Sequence, residues 1–356
     1  MLVQKHGVTY YDKDKATSGY TLYSRNGSDQ VWLIDMGGKV VHEWKTTGGT
    51  TNCNYLRPNG NLFICERVPE GPKVKSGKGG RLREYDWDGN VIWEHIDDHQ
   101  HHDARRLLNG NAVYIAWQEF TADEASRVKG GNPGTEMDGK IYGEVIREID
   151  SLGKVVWEFS NNGPEFLDKY EIKPLAPKYE YGHANTVSPM ANGDYLVSYR
   201  VFDLIVIVDR QTGKLKWEYQ NHELGGQHDC QELENGNILV FANGHNTPAA
   251  GPNYSQVWEI ERQTQEIIWR YFPRKNPLTF WSPHISGCQR LSSGNTLIAE
   301  GGKGCIFEVT PEGEVVWEYI NPFYGRHGEI PDGEINWVFR AKRYAPDSPE
   351  INGRLR

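Results

Sequence analysis

The segment Gly-Lys-Val-Val-Trp-Glu at residues 153–158 is one of six versions of the same short phrase in this chain. The other versions are Gly-Lys-Val-Val-His-Glu-Trp at 38–44, Gly-Asn-Val-Ile-Trp-Glu at 89–94, Gly-Lys-Leu-Lys-Trp-Glu at 213–218, Gln-Glu-Ile-Ile-Trp-Arg at 265–270 and Gly-Glu-Val-Val-Trp-Glu at 313–318. Their tryptophans, which lie 48 to 64 residues apart, are Trp44, Trp93, Trp157, Trp217, Trp269 and Trp317. A repeat of about 50 residues with this composition is typical of a β-propeller, in which each repeat forms one blade.

Each repeat contains predicted strands that we name A, B, C and D, with the tryptophan on strand D. The turns between strands A and B are Asn59-Gly60, Asn109-Gly110, Asn192-Gly193, Asn235-Gly236 and the variant Ser293-Gly294. Asn-Gly between apolar runs favours a hairpin, because both residues tolerate positive φ. The sequence therefore predicts an all-β fold over residues 1–356, with a single domain that forms a six-bladed propeller of four-stranded antiparallel blades.

The first repeat has no predicted strand A. Its strands B, C and D are predicted at 20–25, 31–35 and 40–44, and a candidate for the missing strand, INWVFRAKRY at 335–344, follows the last repeat. We expect the ring to close when this C-terminal strand joins the N-terminal blade, which removes an exposed edge.

Composition narrows the possible partners and locations. A net charge of −9 and a pI near 5.8 argue against nucleic acid or anionic lipid as a partner. The apolar runs are only as long as strands, so we expect no membrane span. No signal peptide is visible, and the five cysteines lack a CxxC pair. These features predict free thiols and a cytoplasmic protein, although a removed signal peptide would leave the same sequence. Nothing in the sequence indicates an oligomeric state.

Histidines recur where the predicted A strands begin. His102 and His228 precede the Asn of their turns by seven residues, whereas His183 precedes Asn192 by nine and His284 precedes Ser293 by nine. Because side chains alternate along a strand, spacings that differ by two place all four histidines on one side of strand A. Strand A lines the channel of a propeller, so we expect four imidazoles to converge on the axis. The long connections all join B to C or D to A, which places them on the same face as these histidines.

Arg200 ends a predicted B strand at that face, in the blade that contains His183. A neutral imidazole acts as a nucleophile, a base or a metal ligand, and a guanidinium matches a tetrahedral oxyanion. Four converging histidines with Gln227 or Gln289 nearby also suit a divalent metal. The residues alone leave both chemistries open.

Several segments resemble the bacterial aryl-sulfate sulfotransferases. They are HHDARRLLNGN at 101–111, HANTVSPMANGDYLVSYR at 183–200, QHDCQELENGNILVFANG at 227–244 and the opening stretch YTLYSRNGSDQVWLIDMGGKVVHEW at 20–44. The resemblance implies a six-bladed propeller that moves a sulfuryl group between phenols through a sulfohistidine, without a nucleotide cofactor. Carried over by motif, it implies that His228 is the nucleophile. It also implies that His183 and Arg200 hold the sulfuryl oxygens and that His102 completes the site.

The main hypothesis is therefore an aryl sulfotransferase without a cofactor that acts on small phenols and aryl sulfates. Its expected substrate-binding residues are His284, Tyr199, Gln227, Asn185, His245, Glu119 and Gln289. The alternative is a lyase or hydrolase that acts on an anionic, uronate-containing glycan. It would use a metal such as Mn, Ca or Zn, held by His102, His183, His228 and His284. A propeller that only binds a ligand or a protein is a third possibility, which the axial histidines disfavour.

Overall fold

The computed structural model describes residues 5–74, 76–247, 251–328 and 330–355. The strands up to the third blade are β1 (Gly7–Tyr11), β2 (Tyr20–Ser24), β3 (Gln30–Ile34), β4 (Val40–Lys45), β5 (Thr50–Leu56), β6 (Leu62–Arg67), β7 (Gly80–Tyr85), β8 (Val91–Ile96), β9 (Gln100–Arg106), β10 (Ala112–Glu119), β11 (Gly130–Asn132), β12 (Tyr142–Ile149) and β13 (Val155–Ser160). The next strands are β14 (Ile172–Pro177), β15 (Ala184–Pro189), β16 (Tyr195–Tyr199), β17 (Leu204–Val208), β18 (Leu215–Gln220), β19 (His228–Glu232), β20 (Ile238–Ala242), β21 (Gln256–Ile260) and β22 (Ile267–Tyr271). The last strands are β23 (Gly287–Arg290), β24 (Thr296–Glu300), β25 (Cys305–Val309), β26 (Val315–Ile320), β27 (Gly325–His327), β28 (Ile330–Ile335) and β29 (Ala341–Tyr344).

The helical elements are short and lie in the connections. They are α1 (Ala122–Arg127), α2 (Pro164–Leu167) and 3₁₀ turns at Arg200–Phe202, His222–Leu224, Pro277–Thr279 and Gly301–Lys303. Among the described residues, no helix has the length and apolar character needed to cross a membrane. All five cysteines are buried free thiols.

The strands form the predicted six-bladed ring. Blade 1 has the order β29-β2-β3-β4, blade 2 the order β5-β6-β7-β8 and blade 3 the order β9-β10-β12-β13. Blades 4, 5 and 6 are β15 to β18, β19 to β22 and β23 to β26. Closure of the ring by the C-terminal strand is confirmed, since β29 pairs with β2 in the register Tyr20↔Tyr344 and Tyr23↔Ala341. The paired strand is shorter than the predicted 335–344, because Ile335 ends a separate hairpin of β27 and β28.

Blade 6 carries a fifth strand that the sequence did not predict. β1 pairs antiparallel with β26, in the register Gly7↔Ile320 and Tyr11↔Trp317. The pairing covers what would otherwise be the free outer edge of this blade. Residues 7–11 contain none of the repeated phrases, so the repeat pattern offered no signal for this strand.

Five of the six repeated tryptophans hydrogen-bond their blade to the next one. The Trp44 indole N–H donates to the carbonyl of Asp86 at 3.0 Å, in the C–D turn of blade 2. The same bond recurs in four other blades, from Trp93 to Ser151, Trp217 to Arg262, Trp269 to Pro311 and Trp317 to Met36. Each indole ring also buries apolar surface between two blades. Because Trp317 of the last blade bonds Met36 of the first, the same contact also closes the ring of blades.

A layer of buried charge fixes the innermost strands. Arg340, which precedes β29, lies between Asp103 on β9 and Asp229 on β19, with N–O distances of 2.7 and 2.8 Å. The two carboxylates also accept backbone N–H bonds from Val187 and Cys288, each at 3.0 Å. We name Arg340, Asp103 and Asp229 the charged layer. It joins strands of several blades at the axis, directly beside His102 and His228 in sequence.

Candidate active site

A central chamber of about 240 Å³ lies at the axis. Its described lining consists of Asn26, Asn52, Arg67, Ser76, Gly77, His102, His183, Arg200, His228, His284, Ile285, Trp337 and Phe339. The structure thus brings together all four axial histidines and Arg200, the residues that the sequence analysis placed at one end of the channel. Ser76 and Gly77 come from a long B–C connection, so the chamber opens on the loop-rich face.

The chain reaches the chamber through irregular backbone rather than through the regular pleat that we assumed. His102 and His183 have φ values of 52° and 53°, in the left-handed region. His284 lies three residues before β23, and Ile285 and Ser286 after it also have positive φ. Non-glycine residues rarely adopt this conformation, and such residues concentrate at functional sites.

The hydrogen bonds around His228 determine which of its nitrogens is free to react. Nδ1 lies 2.8 Å from Oδ1 of Asn243, whose Nδ2 donates to the carbonyls of Ser282 and Ile285. Because the Asn243 amide nitrogen is fixed as a donor, its oxygen accepts, and Nδ1 of His228 carries the proton. Nε2 therefore carries the lone pair. Burial, and next the charge of Arg200, lower the pKa of His228 well below its usual value of 6.5, which keeps this nitrogen nucleophilic.

His102 and His183 contact each other directly, with their Nε2 atoms 3.1 Å apart. Behind His102, its Nδ1 lies 2.7 Å from Nδ1 of His101, which stacks on Trp117. Behind His183, its Nδ1 lies 2.8 Å from Oε2 of Glu180. Burial, and then the charge of His183, lower the pKa values of His101 and His102 well below 6.5. These two rings are therefore neutral, and His183 is the ring with a carboxylate partner.

Arg200 is placed by the backbone of its own blade. It begins the 3₁₀ turn after β16, and its N–H donates to the carbonyl of His183 at 3.1 Å. A Cβ on Gly226 would lie 3.2 Å from Cγ and Nε of Arg200, so glycine there leaves room for the guanidinium stem. The result is a cation on one wall of the chamber, beside His183.

An outer vestibule of about 160 Å³ shares Ser76, His183 and Arg200 with the chamber. Lys173 and His245 also line it. Lys173 pairs with the buried carboxylate of Asp203 at 2.5 Å, and burial lowers its pKa. Together the two cavities form a path from the loops to His228.

Aromatic side chains complete the chamber. Trp337 lies 4.7 Å from the ring of His284, and Phe339 lies 5.6 Å from that of His228, between centroids in each case. Neither residue was predicted as part of the site, because 335–344 was predicted to be a regular strand. The available signal was that Trp337 and Phe339 lie two residues apart, which places both aromatic side chains on one side of the predicted strand.

The other predicted substrate-binding residues have different positions. His284 lines the chamber and His245 the vestibule. Tyr199, Gln227 and Asn185 are fully buried, and none is among the described residues of the chamber wall. The Gln227 amide donates to the carbonyls of Tyr199 and Leu204, and Asn185 donates to the Gln227 carbonyl, so both support the backbone.

The remaining two predicted residues lie away from the chamber. Gln289 lines a cavity at the other end of the channel, where it bonds the backbone of Arg343. Glu119 is exposed and pairs with Lys140 at 2.8 Å. Neither side chain is positioned to touch a ligand beside His228.

The axial histidines do not form a group of three possible metal-ligand atoms within 4.8 Å of one another among the described residues. Within the described ranges, the group that brings three ligand atoms within 4.8 Å of one another is Asp97, Asp98 and His99, on a half-exposed turn. The short contact between His102 and His183 joins their two Nε2 atoms to each other, in the geometry of a hydrogen bond between rings.

The chain belongs to the arylsulfotransferase (ASST) family, whose model matches residues 80–322, more than half of its length. The matched region contains His102, His183, Arg200, His228 and His284. No curated protein matches the chain in sequence. The family implies small phenolic molecules as substrates and a transferase as the kind of enzyme.

Solved structures share the fold. A protein of unknown function from Bacteroides caccae is 15% identical with a TM-score of 0.58, over 92% of this chain and 99% of that one. A streptogramin B lyase is 11% identical with a TM-score of 0.50, over 92% and 84%. A virginiamycin B lyase from Staphylococcus aureus, solved with quinupristin, is 11% identical with a TM-score of 0.50, over 88% and 83%. Identities this low establish the propeller and carry no chemistry.

Proposed function

We propose that this protein is an aryl sulfotransferase that passes a sulfuryl group between phenols through a histidine intermediate. The observation that carries the proposal is the fixed tautomer of His228, which presents a neutral Nε2 in a chamber that also contains Arg200. Membership of the arylsulfotransferase family supports the same reaction.

In the first half of the reaction, Nε2 of His228 attacks the sulfur of an aryl sulfate. The N–S bond forms, the bond between sulfur and the aryl oxygen breaks, and the phenolate leaves with a proton from a neighbouring imidazole. In the second half, an acceptor phenol loses its proton and its oxygen attacks the same sulfur. The N–S bond then breaks, and His228 is restored.

The walls of the chamber match these steps. Arg200 supplies a planar donor fork for the sulfuryl oxygens, and Arg67 adds a second guanidinium to the lining. Trp337 and Phe339 offer apolar faces for an aryl ring.

The test is an assay of phenol release from 4-nitrophenyl sulfate, with and without phenol as acceptor. We expect acceptor-dependent release and the parallel double-reciprocal lines of a ping-pong mechanism. Folded protein that releases no phenol from any aryl sulfate would contradict the proposal.

The proposed reaction needs no metal, so we expect dialysis against EDTA to leave the rate unchanged. A rate that falls after dialysis and recovers with Mn, Ca or Zn would instead favour the metal site that the sequence left open. The same assay on His284→Ala separates the two cases, because a metal site would lose affinity for its ion.

A further inference from the structure

Glu180 lies behind His183 in a buried pair that no feature of the repeat predicted. Its Oε2 is 2.8 Å from Nδ1 of His183, and the two side chains are 4% and 8% exposed. Its other oxygen lies 3.4 Å from the indole N–H of Trp117. Glu180 belongs to the long connection before β15 and therefore has no equivalent position in a blade strand.

The hydrogen bonds make His183 better suited than its neighbour His102 to gain and lose a proton. A carboxylate only accepts, so Nδ1 of His183 carries a proton, and Nε2 is the nitrogen that can exchange one with a ligand. His102 instead has the neutral ring of His101 behind it, at 2.7 Å. Protonation of His102 would therefore create a buried cation without an adjacent counter-charge. Protonation of His183 would instead form an ion pair with Glu180.

A second buried carboxyl group, that of Glu144, lies near Glu180. Glu144 bonds Asn161 at 2.6 Å, and burial followed by the negative charge of Glu180 raises its pKa well above the usual value. Glu144 thus has its pKa raised by burial, whereas Glu180 is the carboxyl group that contacts the ring of His183.

We propose that Glu180 is a positioning residue that makes His183, rather than His102, the acid and base of the sulfuryl transfer. This inference rests on the proposed function. In the first half-reaction, the His183 imidazolium paired with Glu180 gives its Nε2 proton to the departing phenolate, which yields phenol and neutral His183. In the second half, Nε2 of His183 takes the proton of the acceptor phenol and becomes the imidazolium again.

The experiment compares two donors that differ in how much their leaving group needs a proton. Phenyl sulfate leaves as a basic phenolate and 4-nitrophenyl sulfate as a weakly basic one. In Glu180→Gln, we expect kcat/KM to fall about 100-fold or more for phenyl sulfate and less than about 5-fold for 4-nitrophenyl sulfate. Equal losses for the two donors would show a merely structural role and would overturn the inference.

Glu144→Gln is the matched control, because it makes the same carboxyl-to-amide change at the neighbouring buried Glu, whose side chain bonds Asn161 and not the ring of His183. We expect any loss in this variant to be the same for both donors. If Glu144→Gln instead loses activity mainly with phenyl sulfate and Glu180→Gln does not, then Glu144 is the carboxyl group that assists proton transfer, and the inference is wrong.

The wild-type protein provides a test that does not depend on the folding of a variant. Across a series of substituted aryl sulfates, proton donation by His183 predicts that kcat/KM depends weakly on the basicity of the leaving phenolate. A steep dependence would contradict the inference while leaving the sulfotransferase proposal intact. Failure of every aryl sulfate to react would instead contradict the proposed function itself.

Discussion

The charged layer lies next to a second layer that contains His102, His183 and His228, which we name the histidine layer. The two layers share strands β9 and β19, but the buried groups of the charged layer have counter-charges, whereas His102 and His228 have none among the described residues. His102 is followed by Asp103, and His228 by Asp229. Both aspartates are buried and paired with Arg340. The histidines are equally buried, yet their nearest polar partners are other imidazoles and the amide of Asn243.

The difference shows how one strand serves two purposes. Arg340 neutralises the buried charges of Asp103 and Asp229, so these three residues connect the inner strands at the axis. Lack of compensation keeps His102 and His228 neutral, because a buried imidazolium without a carboxylate is costly. His183 is the exception in the histidine layer, since it has Glu180 as a partner. We therefore expect changes in the two layers to affect different properties.

The largest effect is expected from His228→Ala, which removes the proposed nucleophile. Sulfuryl transfer should fall by more than about 10⁴-fold, with little change in the unfolding midpoint. His284→Ala, in the same chamber, should lose much less activity, because its ring forms part of the wall. Steady-state kinetics of the two variants, with melting curves as the folding control, check the order. Equal losses would contradict the separate roles of these residues.

A change in the charged layer should act on stability instead. Arg340→Met leaves Asp103 and Asp229 without their shared cation, which should lower the free energy of unfolding by about 3–5 kcal/mol. Lys342→Met is the matched control. Lys342 is partly exposed and lies 3.4 Å from Asp229, so its loss should cost about 1 kcal/mol or less. Denaturant titration measures the free energy of unfolding of both variants. Similar losses would contradict the view that Arg340 is structurally essential and that Lys342 is a minor contact.

The two layers should also respond to acid in different pH ranges. Burial first, and then neighbouring positive groups, lower the pKa values of His102 and His228 in the folded protein. The unfolded chain binds more protons below about pH 6.5, so these histidines should make stability fall from that point downward. Asp229 keeps a pKa below its usual 3.8, because the charges of Lys342 and Arg340 outweigh the effect of burial. Its contribution should be lost only below about pH 4.

Unfolding measurements from pH 7 to 3 test this separation. The decline between pH 6.5 and 5 should be smaller in His102→Gln than in the wild type. An unchanged decline in that variant would mean that other groups cause it.

The smallest effect is expected at Tyr199, a predicted site residue that the structure places in the core. Its hydroxyl is buried and has no hydrogen-bond partner among the described residues. Tyr199→Phe should therefore keep sulfuryl transfer within about 2-fold and leave stability equal or slightly higher, since an unpaired buried hydroxyl is lost. A large loss of activity would place Tyr199 in the site after all.

The repeat allowed much of the fold to be predicted from the sequence. Six tryptophans and five turn motifs indicated six blades, and the missing strand in the first repeat indicated closure by the C-terminus. These features are local and recur, so a single sequence displays them. β1 escaped prediction because it pairs with β26 without sharing the repeated phrase.

The site was predictable only where it follows the register of the blades. His102, His183, His228 and His284 keep a matched distance from their turns, and they meet in one chamber. Glu180 approaches from a connection of irregular length, and Arg340 meets Asp103 across 237 residues of sequence. Neither contact leaves a periodic trace, so only the three-dimensional structure shows them.

The most direct test of the account is to locate the sulfuryl group on the enzyme. The protein is incubated with 4-nitrophenyl sulfate without an acceptor, digested at neutral or alkaline pH and mapped by mass spectrometry. We predict one added SO₃ group on the peptide that contains His228, and its loss when phenol is supplied before digestion. Release of nitrophenol with the group on another residue, or on none, would contradict the central role of His228.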